Sequence, residues 1–454
     1  MKIQSINPYT EELLKEYELM APDEVTREIA GLRQAFLAWR EQPVSVRALF
    51  VRKLGAHLRA AARRYAEIIT REMGKPIREA VAEIEKCATL CDYYAEHGEK
   101  FLAPEDAKTE AKKSYVLFQP LGIVLAIMPW NFPFWQAFRV AVPAILAGNV
   151  IALKHASNVP ASALAIAEAF RLSGFPESVL KTLLIRAEDA LRLIDEGKVE
   201  AVSLTGSDKA GEQVAAVAGR RIRKVVLELG GSDPFIVLDD ADIEKAGRMA
   251  VSARMINGGQ SCIAAKRFIV MEKVKNEFRE IFLSRLRGLR IGDPMDETTE
   301  VGPVARKEIL DSLQEQLRDA KAKGAEILQS EHSCAKGFFF PPCAVFDTKE
   351  DMKILTEEVF GPIAPVVIVR DEDEAVRIAN STAYGLGASV WSRDLERAER
   401  LARKIDAGCV AINDMVKSDP RLPFGGIKKS GFGRELSHYG LKEFVNIKTV
   451  VIKE

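Results

Sequence analysis

The chain has 454 residues, with 65 basic and 65 acidic side chains that cancel to a formal net charge of zero. That balance gives nucleic acid or an anionic membrane no electrostatic hold, and no apolar run nears the roughly 18 residues of a membrane-spanning helix. With 47% hydrophobic and 29% charged residues, the composition is that of a soluble globular protein too long for one core, hence of two or three domains.

Residues 22–105 read as helical almost throughout. Pro22-Asp23-Glu24-Val25 is a good helix start, and apolar residues recur three and four apart. From Lys113 the texture changes to a strand at 114–120 and a fully apolar one at 122–128. Helices at 134–147, 159–173, 187–197 and 208–218 then alternate with strands at 150–154, 180–185, 201–204 and 224–228. Buried strands alternating with helices predict a doubly wound parallel sheet. A second α/β series runs from 234–238 to 409–413, and the β-branched tail at 444–452 has no core of its own.

The start, Met-Lys-Ile-Gln-Ser-Ile-Asn-Pro, lacks an apolar signal core. The six cysteines form no zinc or disulfide pattern; Cys87 and Cys91, four apart on a helix, read as core packing. No metal site is expected, and a reduced, cytoplasmic compartment fits best.

Chemistry concentrates around Cys262. It follows Gly258-Gly259-Gln260-Ser261, where glycines leave backbone amides free near the sulfur, and a carboxylate, Glu228, stands upstream in Leu227-Glu228-Leu229-Gly230-Gly231. A thiol nucleophile with an acid or base partner is the equipment of covalent acyl chemistry. A strand at 201–204 runs into Thr205-Gly206-Ser207-Asp208-Lys209-Ala210-Gly211 and then a helix. Such a turn offers amides and a positive dipole end to a pyrophosphate, although it also serves as a simple turn.

These words, with Pro129-Trp130-Asn131-Phe132-Pro133, Glu358-Val359-Phe360-Gly361-Pro362 and Pro423-Phe424-Gly425-Gly426, resemble in kind and in order the signatures of the NAD(P)-dependent aldehyde dehydrogenase superfamily. The resemblance covers essentially the whole chain. It implies two doubly wound Rossmann-like parallel-sheet domains plus a small β oligomerisation arm. The cofactor domain would take 1–101 and 121–229, the catalytic domain 230–430, and the arm 102–120 and 431–454; the alternative for the tail is an edge strand of the catalytic sheet. A homodimer or homotetramer follows.

By the same resemblance Cys262 is the nucleophile, Glu228 activates water and Asn131 helps hold the oxyanion. Trp130, Lys154, Gly206, Ser207, Gly211, Glu358 and Phe360 match cofactor-binding positions. Where the family commonly has Lys-Pro-x-Glu, this chain has Lys154-His155-Ala156-Ser157. Ser157 removes an acid that would bind a ribose 2′-OH and repel a 2′-phosphate, so NADP is expected to be preferred over NAD. His155 is expected to pack or face solvent.

Arg139 lies eight residues beyond Asn131, about two helical turns on, so its guanidinium can face the oxyanion site and bind a distal carboxylate. The alternative is a salt bridge on the helix surface. With Phe132, Trp135 and Ser418 as further substrate contacts, the chain looks like the shorter bacterial-type succinate-semialdehyde dehydrogenases. A broad aliphatic or aromatic aldehyde dehydrogenase and a non-catalytic structural relative are the competing expectations.

Overall fold

The computed structural model describes residues 2–331, 334 and 336–453. The helical first hundred residues resolve into four helices, Pro22–Trp39, Val44–Ala60, Ala62–Met73 and Ile77–Leu102. A hairpin of Lys2–Ile6 and Leu13–Glu18 precedes them. Sequence patterning gave no sign of it, because Leu13–Glu18 is exposed along nearly its whole length and shows no apolar alternation. Ile77–Leu102 buries Ile77, Ala80, Ile84, Cys87, Cys91 and Tyr94 at three-and-four spacing and packs on Val44–Ala60 and Pro133–Leu146.

The first large sheet has six strands in the order Gly431–Phe432, Lys224–Glu228, Ala201–Thr205, Ile123–Met128, Val150–His155, Leu180–Thr182. Ile123–Met128 starts the sheet, the chain winds outward on one side, and it returns to the other side through Ala201–Thr205. That reversal is the doubly wound arrangement, and its crevice opens at the carboxyl ends of the strands.

A second sheet of seven strands runs Glu326–Gln329, Cys343–Phe346, Ile363–Val369, Ala265–Met271, Asp233–Val237, Gly387–Trp391, Cys409–Ile412. Only its outermost strand, Glu326–Gln329, is antiparallel to its neighbour. Each large sheet sits in its own apolar core. Among the described residues no helix is long and apolar enough to cross a membrane.

Val445–Ile452 pairs antiparallel with Lys113–Pro120, which also takes Glu105–Asp106 on its other edge. The tail is therefore in a separate three-stranded sheet and is not an edge strand of the catalytic sheet. Gly431–Phe432 pairs with Lys224–Glu228, and Ser437–Lys442 packs on Ile77–Leu102. The cause is local: a Cβ on Gly431 would stand 2.0 Å from the Leu227 carbonyl oxygen, so only glycine lets the backbone lie there.

One buried arginine joins the second core to the active-site loops. Arg254 is fully buried and donates to the carbonyls of Ala265 (2.9 Å), Gly259 (3.1 Å) and Val359 (2.9 Å), and closely to that of Gly361. Removing it strands several buried acceptors at roughly 1–3 kcal/mol each. Arg254→Met should lower unfolding stability by about 3 kcal/mol or more; a urea midpoint equal to that of the parent chain would contradict this.

Candidate active site

Cys262 sits just beyond a short helical turn, Ile256–Gly259, in which Asn257 takes a left-handed backbone (φ 54°). Asn257 makes three bonds, two of them to the first domain and one within its own loop. The Asn257 amide donates to Glu79 Oε2 (2.7 Å), and Asn257 Nδ2 donates to the Asn131 carbonyl (2.8 Å) and the Gln260 carbonyl (3.1 Å). Asn131 Nδ2 donates to the Gln260 carbonyl (3.0 Å), while Asn131 Oδ1 accepts from Gln136 Nε2 (3.1 Å). Of the two N–H bonds on that amide, one is thus directed along the loop that carries the thiol, and the other remains to donate.

Behind the thiol, Lys266 is buried and donates to the carbonyls of Ser261 (2.8 Å) and Cys262 (2.6 Å). It also lies 3.4 Å from Glu358, whose carboxylate accepts from the Gly231 amide (3.0 Å). A Cβ on Gly231 would meet the Cys262 carbonyl at 2.6 Å, which is why the strand ending in Glu228 leads into two glycines.

Burial pushes the Cys262 thiol up to about 12, opposed by the charges of Arg139 and Lys266. Glu228 is buried, and neither of its carboxylate oxygens has a hydrogen-bond partner among the described residues. Burial, then the neighbouring Glu435, raises it well above the usual carboxylate range, against Arg139 and Arg434. Burial also raises Glu435, again against Arg139.

Arg139 lines the cavity, and its ion pair is buried inside the protein and not on the helix surface. Its side chain is 3% exposed, and Nε lies 2.6 Å from Glu435 Oε2, also 3% exposed. The contact is an ion pair outside hydrogen-bond alignment, and the buried Nη2 has no hydrogen-bond partner among the described residues. Helix Pro133–Leu146, which carries Arg139, is fully buried, so this side chain had no surface to reach. Phe424 lies under its guanidinium at 4.8 Å.

Arg139, Phe132, Trp135, Ser418 and Cys262 line one cavity of about 410 Å³. Trp135 Nε1 donates to Ser418 Oγ (3.1 Å), and Lys75 Nζ lies 3.7 Å from the Phe132 ring centre. Lys75 in turn pairs closely with Glu83, which caps the start of helix Pro133–Leu146 by accepting from the amides of Phe134 (2.9 Å) and Trp135 (3.0 Å).

At the cofactor crevice, a Cβ on Gly206 would meet nothing nearer than Leu204 Cδ2 at 3.7 Å, so the backbone of this turn is open to a pyrophosphate. Ser207 caps helix Asp208–Arg220 through the Ala210 amide. A Cβ on Gly211 would stand 2.5 Å from Leu229 Cδ1, so this glycine lets the start of the helix pack closely there. Trp130 and Phe360 meet edge to face at 5.6 Å. Lys154 is half-buried and burial lowers it, whereas Ser157 is exposed. His155 is buried, accepts from the Ala156 amide and bonds the Pro133 carbonyl (2.9 Å); burial pulls it down to about 4.

Sequence reasoning missed Glu79, Glu83, Lys86, Lys266 and Glu435. The first three stand on one face of Ile77–Leu102, where charged residues at helical spacing read as a solvated side. Lys266 carried a weak signal, being a lysine inside the apolar strand Ala265–Met271.

The model of the aldehyde dehydrogenase family matches residues 1–450. A probable succinate-semialdehyde dehydrogenase [NADP(+)] of Synechocystis sp. is 46% identical over 453 residues, covering all of both chains. Succinate-semialdehyde dehydrogenase [NADP(+)] 1 of Mycobacterium tuberculosis is 46% identical over 456 residues, again covering all of both. The crystal structure of succinic semialdehyde dehydrogenase from Streptococcus pyogenes with NADP+ superposes with a TM-score of 0.97 at 36% identity, with both chains fully covered.

The raised Cys262 thiol has a measurable consequence in the cofactor-free protein. Its thiolate fraction rises about tenfold per pH unit until pH approaches about 12. Alkylation of Cys262 by iodoacetamide, followed by mass spectrometry from pH 6.5 to 9.5, should climb throughout; a plateau near neutrality would show a thiolate already formed.

Proposed function

This chain belongs to the aldehyde dehydrogenase family, and from that premise we propose that it oxidises succinate semialdehyde to succinate with NADP, through a thioester on Cys262. The observation that carries the reading is one cavity lined by both the thiol of Cys262 and the guanidinium of Arg139, whose buried Nη2 lacks a hydrogen-bond partner among the described residues. A buried, unsatisfied guanidinium nitrogen favours an anionic group beside it. The names of the relatives point the same way.

In this reading the Cys262 thiol gives its proton to solvent, Sγ bonds to the aldehyde carbon, and the carbonyl π pair moves to its oxygen, which takes up negative charge. The second N–H of Asn131 Nδ2 and the Cys262 amide donate to that oxygen. NADP, when bound, accepts the hydride released as the thiohemiacetal becomes a thioester. Gly206, Lys154 and Ser157 would hold its phosphates and ribose, and Trp130, Glu358 and Phe360 its nicotinamide end. Glu228 then takes a proton from water, the hydroxyl adds to the thioester carbon, and the carbon–sulfur bond breaks to release succinate and restore the thiol. Ionised Glu228 is required, and its raised pKa makes this step accelerate with rising pH.

The domain limits expected from sequence, cytoplasmic location and a homodimer or homotetramer belong to the same proposal. The exposed Ile447, Val451 and Ile452 on Val445–Ile452 support an association role for the three-stranded sheet.

Succinate semialdehyde should exceed butanal in kcat/KM, and NADP should exceed NAD. Equal use of the two aldehydes, or a preference for NAD, would overturn the corresponding part of the reading. Ser157→Glu should shift the cofactor ratio toward NAD by about tenfold or more, through like-charge repulsion of the 2′-phosphate. Glu228→Gln should leave a burst of reduced cofactor followed by slow turnover; full steady-state turnover would remove Glu228 from the deacylation step.

A further inference from the structure

Of the other cations lining the cavity, Arg285 pairs with Glu300, Lys417 pairs with Asp414 and Arg78 is exposed, which leaves the half-buried Lys86 that the reading above does not use. Helix Ile77–Leu102 presents Glu79, Glu83 and Lys86 to the cavity at i, i+4 and i+7. The two acids are engaged elsewhere, Glu83 with Lys75 and helix amides, Glu79 with the Asn257 amide. Among the described residues Lys86 has no ion-pair partner. Its Nζ donates to Ser418 Oγ (2.8 Å) and stands 4.3 Å from the centre of the Trp135 ring.

The hydroxyl of Ser418 resolves what this cluster does. Ser418 is buried, and its oxygen accepts from both Lys86 Nζ (2.8 Å) and Trp135 Nε1 (3.1 Å). A hydroxyl oxygen has two lone pairs, so both are taken, and the O–H is left only to donate. Lys86 keeps further N–H bonds of its own. The cluster is thus a set of donors around a positive charge with no acceptor to offer, which favours a carboxylate over a neutral carbonyl and gives a cation no hold. Burial, then the Arg139 charge, pulls Lys86 down to about 8, a cost that an adjacent anion relieves.

Resting on the proposed carboxylate-bearing substrate, we propose that Lys86, with the Ser418 hydroxyl it orients, is the specificity-determining contact for the distal carboxylate. Arg139 has a divided duty, because its Nε faces Glu435 and its charge also acts on Glu228. Its loss should therefore reduce turnover of any aldehyde. Lys86 is free of that duty, and its loss should fall on substrates that carry the carboxylate.

The test compares kcat/KM for succinate semialdehyde and butanal in the parent enzyme, Lys86→Met and Lys86→Arg. In Lys86→Met the ratio of the two should fall about tenfold to a hundredfold, mostly through KM for the semialdehyde, and Lys86→Arg should recover part of it. A second readout needs no turnover: succinate, as the probe, should protect Cys262 from iodoacetamide in the parent chain and much less in Lys86→Met. An unchanged ratio with protection retained would overturn the role of Lys86 while leaving the substrate reading intact. A parent enzyme without preference for the semialdehyde would overturn both. Equal losses on both aldehydes in Lys86→Met, with succinate protection unaltered, would reduce Lys86 to a structural support and also overturn the proposal.

Discussion

A single buried guanidinium balances the acids of this site. Arg139 lies against Glu435 with both side chains almost inaccessible, and its charge also lowers Glu228 and Cys262 against their burial. Two carboxylates and a thiol share a low-dielectric region in which none ionises easily. One cation serves all three, so the ionisation of each depends on the others. Glu228 and Cys262 are consequently poised towards their neutral forms at rest, with Glu435 paired to Arg139 and further charge formed during reaction.

The fold supplies that cation through burial and not through a loop. Arg139 rides on a helix whose every residue is buried and whose first turn is fixed by Glu83, itself held by Lys75. The thiol comes from the second domain, and Asn257 and Asn131 tie its loop to the first. Lys266 and Glu358 close the site from behind. Removing one member of such a buried ion set leaves an uncompensated charge, costing about 3–5 kcal/mol. Stability and chemistry are therefore coupled at this point.

Much of this was legible in the sequence. Apolar runs marked the parallel strands of the first large sheet and the first and last strand segments of the second series, since buried parallel strands carry a strong signal. The words around Cys262, Glu228 and Asn131 marked the chemistry. The hairpin Lys2–Ile6 with Leu13–Glu18 gave none, because its strands are largely exposed. The partner of Arg139 lay nearly three hundred positions away in a segment, Gly433-Arg434-Glu435, with no local pattern to announce it. Pairings of that kind depend on which elements meet in space, which local periodicity does not encode.

The Arg139–Glu435 pair tunes the ionisation of Glu228, which burial raises first. The direct measurement is the pH dependence of thioester hydrolysis, followed as steady-state turnover after the burst, in the parent enzyme and in Glu435→Gln. Removing Glu435 deletes a repelling carboxylate and frees the Arg139 charge to act on Glu228, and both effects lower the Glu228 pKa. The pH of half-maximal hydrolysis should move down in the variant. An unmoved profile, or one displaced upward, would contradict the claim.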